Sequence, residues 1–346
     1  MDKDRIRRIA ARTALSITAV VFVGSIALFL LWRDRPDLGD INWPRAVSEE
    51  LEATDVTITW LGVATILFDD GQTQILVDAF ISRPTLADAI LQRPVSSDIP
   101  RINAAMHDFR MRGLAAIIAT HSHYDHAMDV GAIANRSSAS VLGSESTANV
   151  ARGAGVPEDQ ILVVEPGQVY EFGQFTVMLY ESPHAPIGWR GATPLPGTID
   201  EPLEMPAPIT AWREGGSYSV VISHPQGTSL VQGSAGYNDN RLDDVQADVV
   251  FLSVGMLESL GREYAGNYWW ELVTATGATR VIPVHFDDLT APFGDIRLAP
   301  RFIDNFVKTA GWLDELRQTW DKDVELYLPV FGEKVGLYSL EGPPSS

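Results

Sequence analysis

The stretch Ala119-Thr120-His121-Ser122-His123-Tyr124-Asp125-His126 sets three imidazoles and a carboxylate within six residues. It follows directly on Leu114-Ala115-Ala116-Ile117-Ile118-Ala119, an apolar run with the length and composition of a buried strand. His121 and His123 are two apart, so at the end of an extended strand their side chains leave one face and can grip one divalent ion. Asp125 and His126 follow where the chain turns toward a helix, and that turn aims them at a second ion beside the first. Imidazole and carboxylate suit zinc best, with iron and manganese as alternatives.

The same logic recurs downstream. The apolar run 175–180 leads into Glu181-Ser182-Pro183-His184, and the run 279–284 ends at His285, followed by Asp287 and Asp288. Five of the seven histidines thus fall at strand ends, which a solvated His-rich loop would not produce. Of the other two, His107 reads as a surface residue. His224, in His224-Pro225-Gln226-Gly227, reads equally as a turn residue or as a neighbour of the site.

Around these points the chain alternates strands and helices. Residues 56–60, 65–68 and 74–77 read as antiparallel strands, with Asp69-Asp70-Gly71 as the hairpin signal. Residues 140–143, 161–164, 218–223, 228–232, 248–254, 325–329 and 334–339 read as further strands. Helices are expected over 86–91, 102–111, from 129, and over 144–153, 264–276 and 300–320. Residues 185–215 form a Pro- and Gly-rich insertion whose Trp189 and Trp212 favour a lid over the site.

The chain has 346 residues, 45% of them hydrophobic, enough for one large domain. It has no Cys, which excludes disulfides, thiolate ligands and a cysteine nucleophile. The formal net charge of −19 makes nucleic acid a poor partner. Residues 14–32 run without a charge for about the length that crosses a hydrocarbon core as a helix. Lys3, Arg5, Arg7, Arg8 and Arg12 precede them, so the positive-inside bias puts the N-terminus in the cytoplasm and the body outside. An uncleaved single-pass anchor is the expectation, with a cleaved signal peptide as the alternative. The expected division is a basic tip and anchor over 1–35, a stalk-like linker over 36–53, a catalytic domain over 54–340 and a frayed tail over 341–346.

The residues resemble the metallo-β-lactamase superfamily from about Thr54 to Asp288. Its His-x-His-x-Asp-His motif stands here as His121, His123, Asp125 and His126; its next ligand block matches His184, and its last histidine matches His285. Ile58-Thr59-Trp60-Leu61-Gly62 and Leu76-Val77-Asp78 look most like the branch of ascorbate-phosphate lactonases and N-acyl-phosphatidylethanolamine phospholipases D. The chain departs from that branch at Val63, where a histidine is usual. It also departs at Ser234, which stands where a bridging Asp is expected.

The resemblance implies an α+β fold, a four-layer αβ/βα sandwich preceded here by the N-terminal transmembrane helix. It implies two zinc ions, one held by His121, His123 and His184 and one by Asp125, His126 and His285. Asp125 would also orient a zinc-bound hydroxide that cleaves a phosphodiester, lactone or related ester or amide, in a small-molecule or lipid-like substrate. Two rival readings use the same ligands: an iron oxidoreductase, and a non-catalytic metal-binding module.

Overall fold

The computed structural model describes residues 3–339 apart from 49 and 166, and the side chains of all of these but 3–12 and 14. The expected tail 341–346 and the basic side chains before residue 13 lie outside the described residues.

Side-chain alternation builds the core. Along Gln74–Val77, Ile75 and Val77 enter one apolar cluster while Leu76 enters the other; along Leu114–Ile118, Ala116 and Ile118 part from Ile117 in the same way. Strands that are apolar on both faces must be covered on both, and they are. On one side the helices Ile99–Asp108, Val130–Ser137 and Glu145–Gly153 lay Ile102, Ile133 and Val150 against the sheet. On the other a second sheet packs, with Phe68 meeting Phe251 edge-on at 5.7 Å between ring centroids. The helices Arg262–Trp269 and Phe306–Trp320 contribute Trp269, Leu313 and Leu316 to the cluster of the second sheet. Helices, sheet, sheet and helices make four layers.

Among the described residues each of these two sheets has seven strands, and a third sheet of two strands pairs Arg45–Ala46 with Leu328–Pro329. The first runs in the order Lys334–Gly336, Thr57–Trp60, Ile66–Asp69, Gln74–Val77, Leu114–Ile118, Ser140–Gly143, Ile161–Val163. The second runs Glu325–Leu326, Arg280–Val284, Val249–Ser253, Gly227–Gln232, Ser217–His224, Phe175–Ser182, Val169–Phe172. The last four strands of the first sheet are parallel, as are the first four of the second. Their carboxyl ends form the edge where open α/β sheets place their ligands.

Several expectations need correction. The edge strand Val169–Phe172 was not expected: its four residues, between Gly167 and Gly173, are too few to show a period. The last long helix starts at Phe306, because Asn305 caps it by accepting from Lys308 N, and the preceding residues are held in turns. Residues 325–329 split between two sheets. In the insertion, Trp189 is exposed but Trp212 is fully buried in the core, so only one of the two tryptophans is free to act as a lid.

The stretch expected as a stalk does not stand free. Ile41, Trp43 and Ala46 are buried, Arg45–Ala46 pairs with Leu328–Pro329, and Ser48 accepts from Gly336 N. Proline and glycine here bend a strap onto the domain. Trp43 Nε1 donates to Asp314 at 2.9 Å, so Asp314→Ala, which leaves the indole in place and removes its acceptor, should cost about 1 kcal/mol in urea unfolding. An unchanged midpoint would show that the strap contributes nothing through that bond.

The helix Lys3–Arg33 includes one stretch, Leu15–Arg33, that is apolar, exposed and long enough to cross a membrane. Its end is fastened to the domain. Trp32 packs on Phe302 at 6.3 Å, Arg35 pairs with Asp288 at 2.8 Å, and Arg301 lies 3.5 Å from Asp34.

Candidate metal centre

All six candidate residues converge at the carboxyl edge of the sheets, each just beyond a strand: Leu114–Ile118 leads to His121, His123, Asp125 and His126, Phe175–Ser182 to His184, and Arg280–Val284 to His285. They form two groups, His121/His123/His184 and Asp125/His126/His285, whose donor atoms lie within 4.8 Å of one another in each. The resemblance divided them in the same way. His107 is exposed beside Asp108, and His224 sits at the hairpin turn with Nδ1 accepting from Gln226 N, so neither joins the site.

The hydrogen-bond network fixes which imidazole nitrogens face inward. His121 Nδ1 donates to Thr120 Oγ1, which in turn donates to Asp78. His123 Nε2 donates to the Pro194 carbonyl at 3.0 Å, and His184 Nδ1 to the Ala185 carbonyl at 2.8 Å. His126 Nδ1 donates to Asp78 Oδ2 at 2.7 Å. The nitrogens turned inward are therefore Nε2 of His121, Nδ1 of His123, Nε2 of His184 and Nε2 of His126, the last carrying a proton that a bound cation would displace. His121 Nε2 and His123 Nδ1 are 3.0 Å apart, close to the roughly 3.3 Å that separates two nitrogens on one tetrahedral zinc.

Charge agrees with a cation site. Burial, then the neighbouring imidazoles, hold His121 well below its ordinary value, and burial likewise holds His123 down and brings His184 to about 3. These three are neutral and present lone pairs. Burial would pull His126 down, but Asp78 and Asp125 push it up to about 10; burial would raise Asp125, but His126 and His285 draw it well below the carboxylate range. Asp125 Oδ2 lies 3.1 Å from His285 Nε2 and 3.4 Å from His126 Nε2. Two imidazoles around an ionised carboxylate fit a borderline divalent ion.

Asp78 entered the sequence reading only as part of the branch resemblance, with no role at the site. Fully buried, it also accepts from Thr120 N at 2.7 Å. A carboxylate at the end of the apolar run Gln74–Val77 was its signal. Gly233 leaves room for this pair, since a Cβ there would come within 2.0 Å of Thr120 Oγ1. Asp78→Asn should lower metal affinity and turnover about 10- to 100-fold with the fold retained; equal zinc affinity by competition titration would contradict this.

The two departures have defined places. Val63, at φ 50°, gives its N–H to Asp287 Oδ1 and accepts at its carbonyl from His285 N and Trp60 Nε1, so its backbone holds the loop of His285. Asp287 in turn pairs with buried Arg83 at 3.2 Å. Ser234 lines the cavity with His123, His184 and His285, and its Oγ accepts from Ala185 N at 3.0 Å. Asp239 is exposed and stays outside both groups.

The chain resembles known metal-dependent hydrolases in sequence and in fold. A metal-dependent hydrolase of the UPF0173 group from Roseiflexus sp. (strain RS-1) is 27% identical over 133 residues, 38% of this chain and 48% of that one, so the alignment spans about half of that relative. A UPF0173 metal-dependent hydrolase from Pyrobaculum islandicum is 25% identical over 234 residues, 66% of this chain and 84% of that one. The crystal structure of a possible metal-dependent hydrolase from Veillonella parvula shares the fold, with a TM-score of 0.50 and 16% identity over 82% of this chain and 100% of that one. The sequence profile of the metallo-beta-lactamase superfamily matches residues 58–264, more than half of the chain and the span that carries five of the six converging residues, and the chain belongs to that superfamily.

Proposed function

We propose that this metal-dependent hydrolase holds two zinc ions, one at His121, His123 and His184 and one at Asp125, His126 and His285, and cleaves an ester, lactone or phosphodiester with water. The observation that carries this is the pair of three-donor groups, of which His123, Asp125, His184 and His285 line one cavity of about 200 Å³. Zinc supplies a Lewis acid that brings the pKa of water down toward roughly 7. Asp125, an acceptor only when ionised, orients the attacking water by taking its hydrogen bond. Pro194 and Leu195 from the insertion and Leu289 wall the cavity and keep bulk water from the bond being cut. That relatives are named hydrolases supports hydrolysis over oxidation at the same ligands.

The test is turnover by the zinc-loaded protein of bis(p-nitrophenyl) phosphate, lactones and a chromogenic β-lactam, with metal content measured alongside. Hydrolysis of one class that follows metal content supports the reading; a metal-loaded protein inert to all would overturn it.

Ser234 bears on how tightly the ions are held. A neutral hydroxyl already engaged to Ala185 N contributes far less between two cations than a carboxylate would. The Asp125/His126/His285 group should therefore give up its ion first. A chelator titration should show two separated steps; simultaneous loss of both ions would contradict this.

The exposed helix Leu15–Arg33 is read as a membrane anchor with its basic end in the cytoplasm. The packing of Trp32, in the last turn of the helix, on Phe302 supports retention over cleavage. A reporter that works only outside the cytoplasm, fused after Ser346, should be active on a protein that keeps residues 1–12. A mature form starting near Asp34 would refute the anchor.

A further inference from the structure

The cavity over the donor groups continues into a second cleft of about 190 Å³, sharing Tyr124, Gly255, Met256, His285 and Leu289 with it. Its remaining walls are largely apolar and include Leu86, Phe286, Ile303 and Trp32. Trp32 belongs to the last turn of the exposed helix Leu15–Arg33, so the cleft leads from the donor atoms to the place where that helix meets the domain. The bordering segments carry apolar side chains that no core uses. Ile90 and Leu91, on the helix that holds Leu86, are 69% and 59% exposed, and Phe302, packed on Trp32, is 52% exposed. Such patches mark surfaces that meet something apolar. A tryptophan at the end of a span, followed by Arg33 and Arg35, is the arrangement found at headgroup level.

We propose that the substrate is a bilayer amphiphile whose scissile polar group lies at the two donor groups and whose aliphatic chain lies in the cleft between Trp32, Leu289 and Ile303. This rests on the hydrolase reading above and names its substrate class. Water gives its hydroxyl to the acyl or phosphoryl centre, the bond to the leaving oxygen breaks, and that oxygen takes the proton. Of the carboxylates that border the cleft, Asp287 and Asp288 are held by Arg83 and Arg35, and the third is Asp304. It is 6% exposed; Oδ2 accepts from Met256 N at 2.9 Å, while Oδ1 has no partner among the described residues. A hydroxyl or amide N–H next to the scissile group would satisfy that oxygen, so the favoured amphiphile carries a donor there.

The test uses the full-length protein in phosphatidylcholine nanodiscs doped with phosphatidylcholine bearing a diazirine in its chain. After irradiation, label is expected on peptides containing Leu289 and Ile303 as well as on Leu15–Arg33, and Ile303→Asp should cut labelling of the Leu289 peptide at least about fivefold. Label confined to Leu15–Arg33 would overturn the proposal. In parallel, kcat/KM for p-nitrophenyl esters from acetate to octanoate should rise about threefold per methylene until the cleft is filled. Turnover with no dependence on chain length would overturn the cleft while leaving hydrolysis standing. Cleft labelling without turnover of any substrate would uphold the cleft and count against hydrolysis.

Discussion

Purified His123→Ala is expected to hold one metal equivalent fewer than the unmodified protein and to lose at least about 10³-fold in kcat/KM, since without the metal pair water returns toward its ordinary acidity. His123 is well placed for a clean test. Its Nδ1 faces His121 Nε2 at 3.0 Å while its Nε2 is spent on the Pro194 carbonyl, so truncation removes one donor atom and one bond to the insertion. The ring borders the cavity and not the apolar core, so thermal unfolding of the metal-free forms should differ little. Undiminished metal content in His123→Ala would break the assignment of the first group. Lost activity with a large drop in metal-free stability would instead point to a structural histidine.

The second large effect concerns stability. Arg83→Met should cost about 3–5 kcal/mol, because it leaves the Asp287 carboxylate buried without its charged partner. Both side chains are almost inaccessible, at 2% and 1%. The double variant Arg83→Met/Asp287→Asn should recover much of the loss, since an amide oxygen can still accept from Val63 N and no buried charge remains. If the double variant is as unstable as Arg83→Met alone, the cost comes from packing of Arg83 on Phe80, where its guanidinium lies 4.8 Å over the ring, and not from the stranded charge.

The site was largely legible because each donor follows an apolar run. A buried parallel strand shows itself as a short continuous stretch of Val, Ile, Leu and Ala, and the residue after it is delivered to one edge of the sheet. Hence His121, His184 and His285, 164 residues apart from first to last, could be read as neighbours. What escaped was everything that depends on packing between distant segments. Thr120 gives no local sign that it would link His121 to Asp78, and nothing in Gly62-Val63 announces that its carbonyl would carry the His285 backbone. The strap over residues 36–48 was misread for a related reason. Pro36, Gly39 and Pro44 look the same in a free linker as in a segment bent over a surface, and only the burial of Ile41 and Trp43 tells the two apart. Trp212 was misjudged likewise: an insertion rich in proline can still send one aromatic into the core.

The six side chains are proposed to make two separate but adjacent metal positions. Zinc bound per chain at equilibrium, measured by dialysis and metal analysis on the unmodified protein, His184→Ala and His285→Ala, tests it most directly. Two equivalents are expected in the first and one in each variant, the ion lost by His184→Ala being the tighter and that lost by His285→Ala the weaker. A folded, unmodified protein that binds no zinc, or two variants that both keep two equivalents, would contradict it.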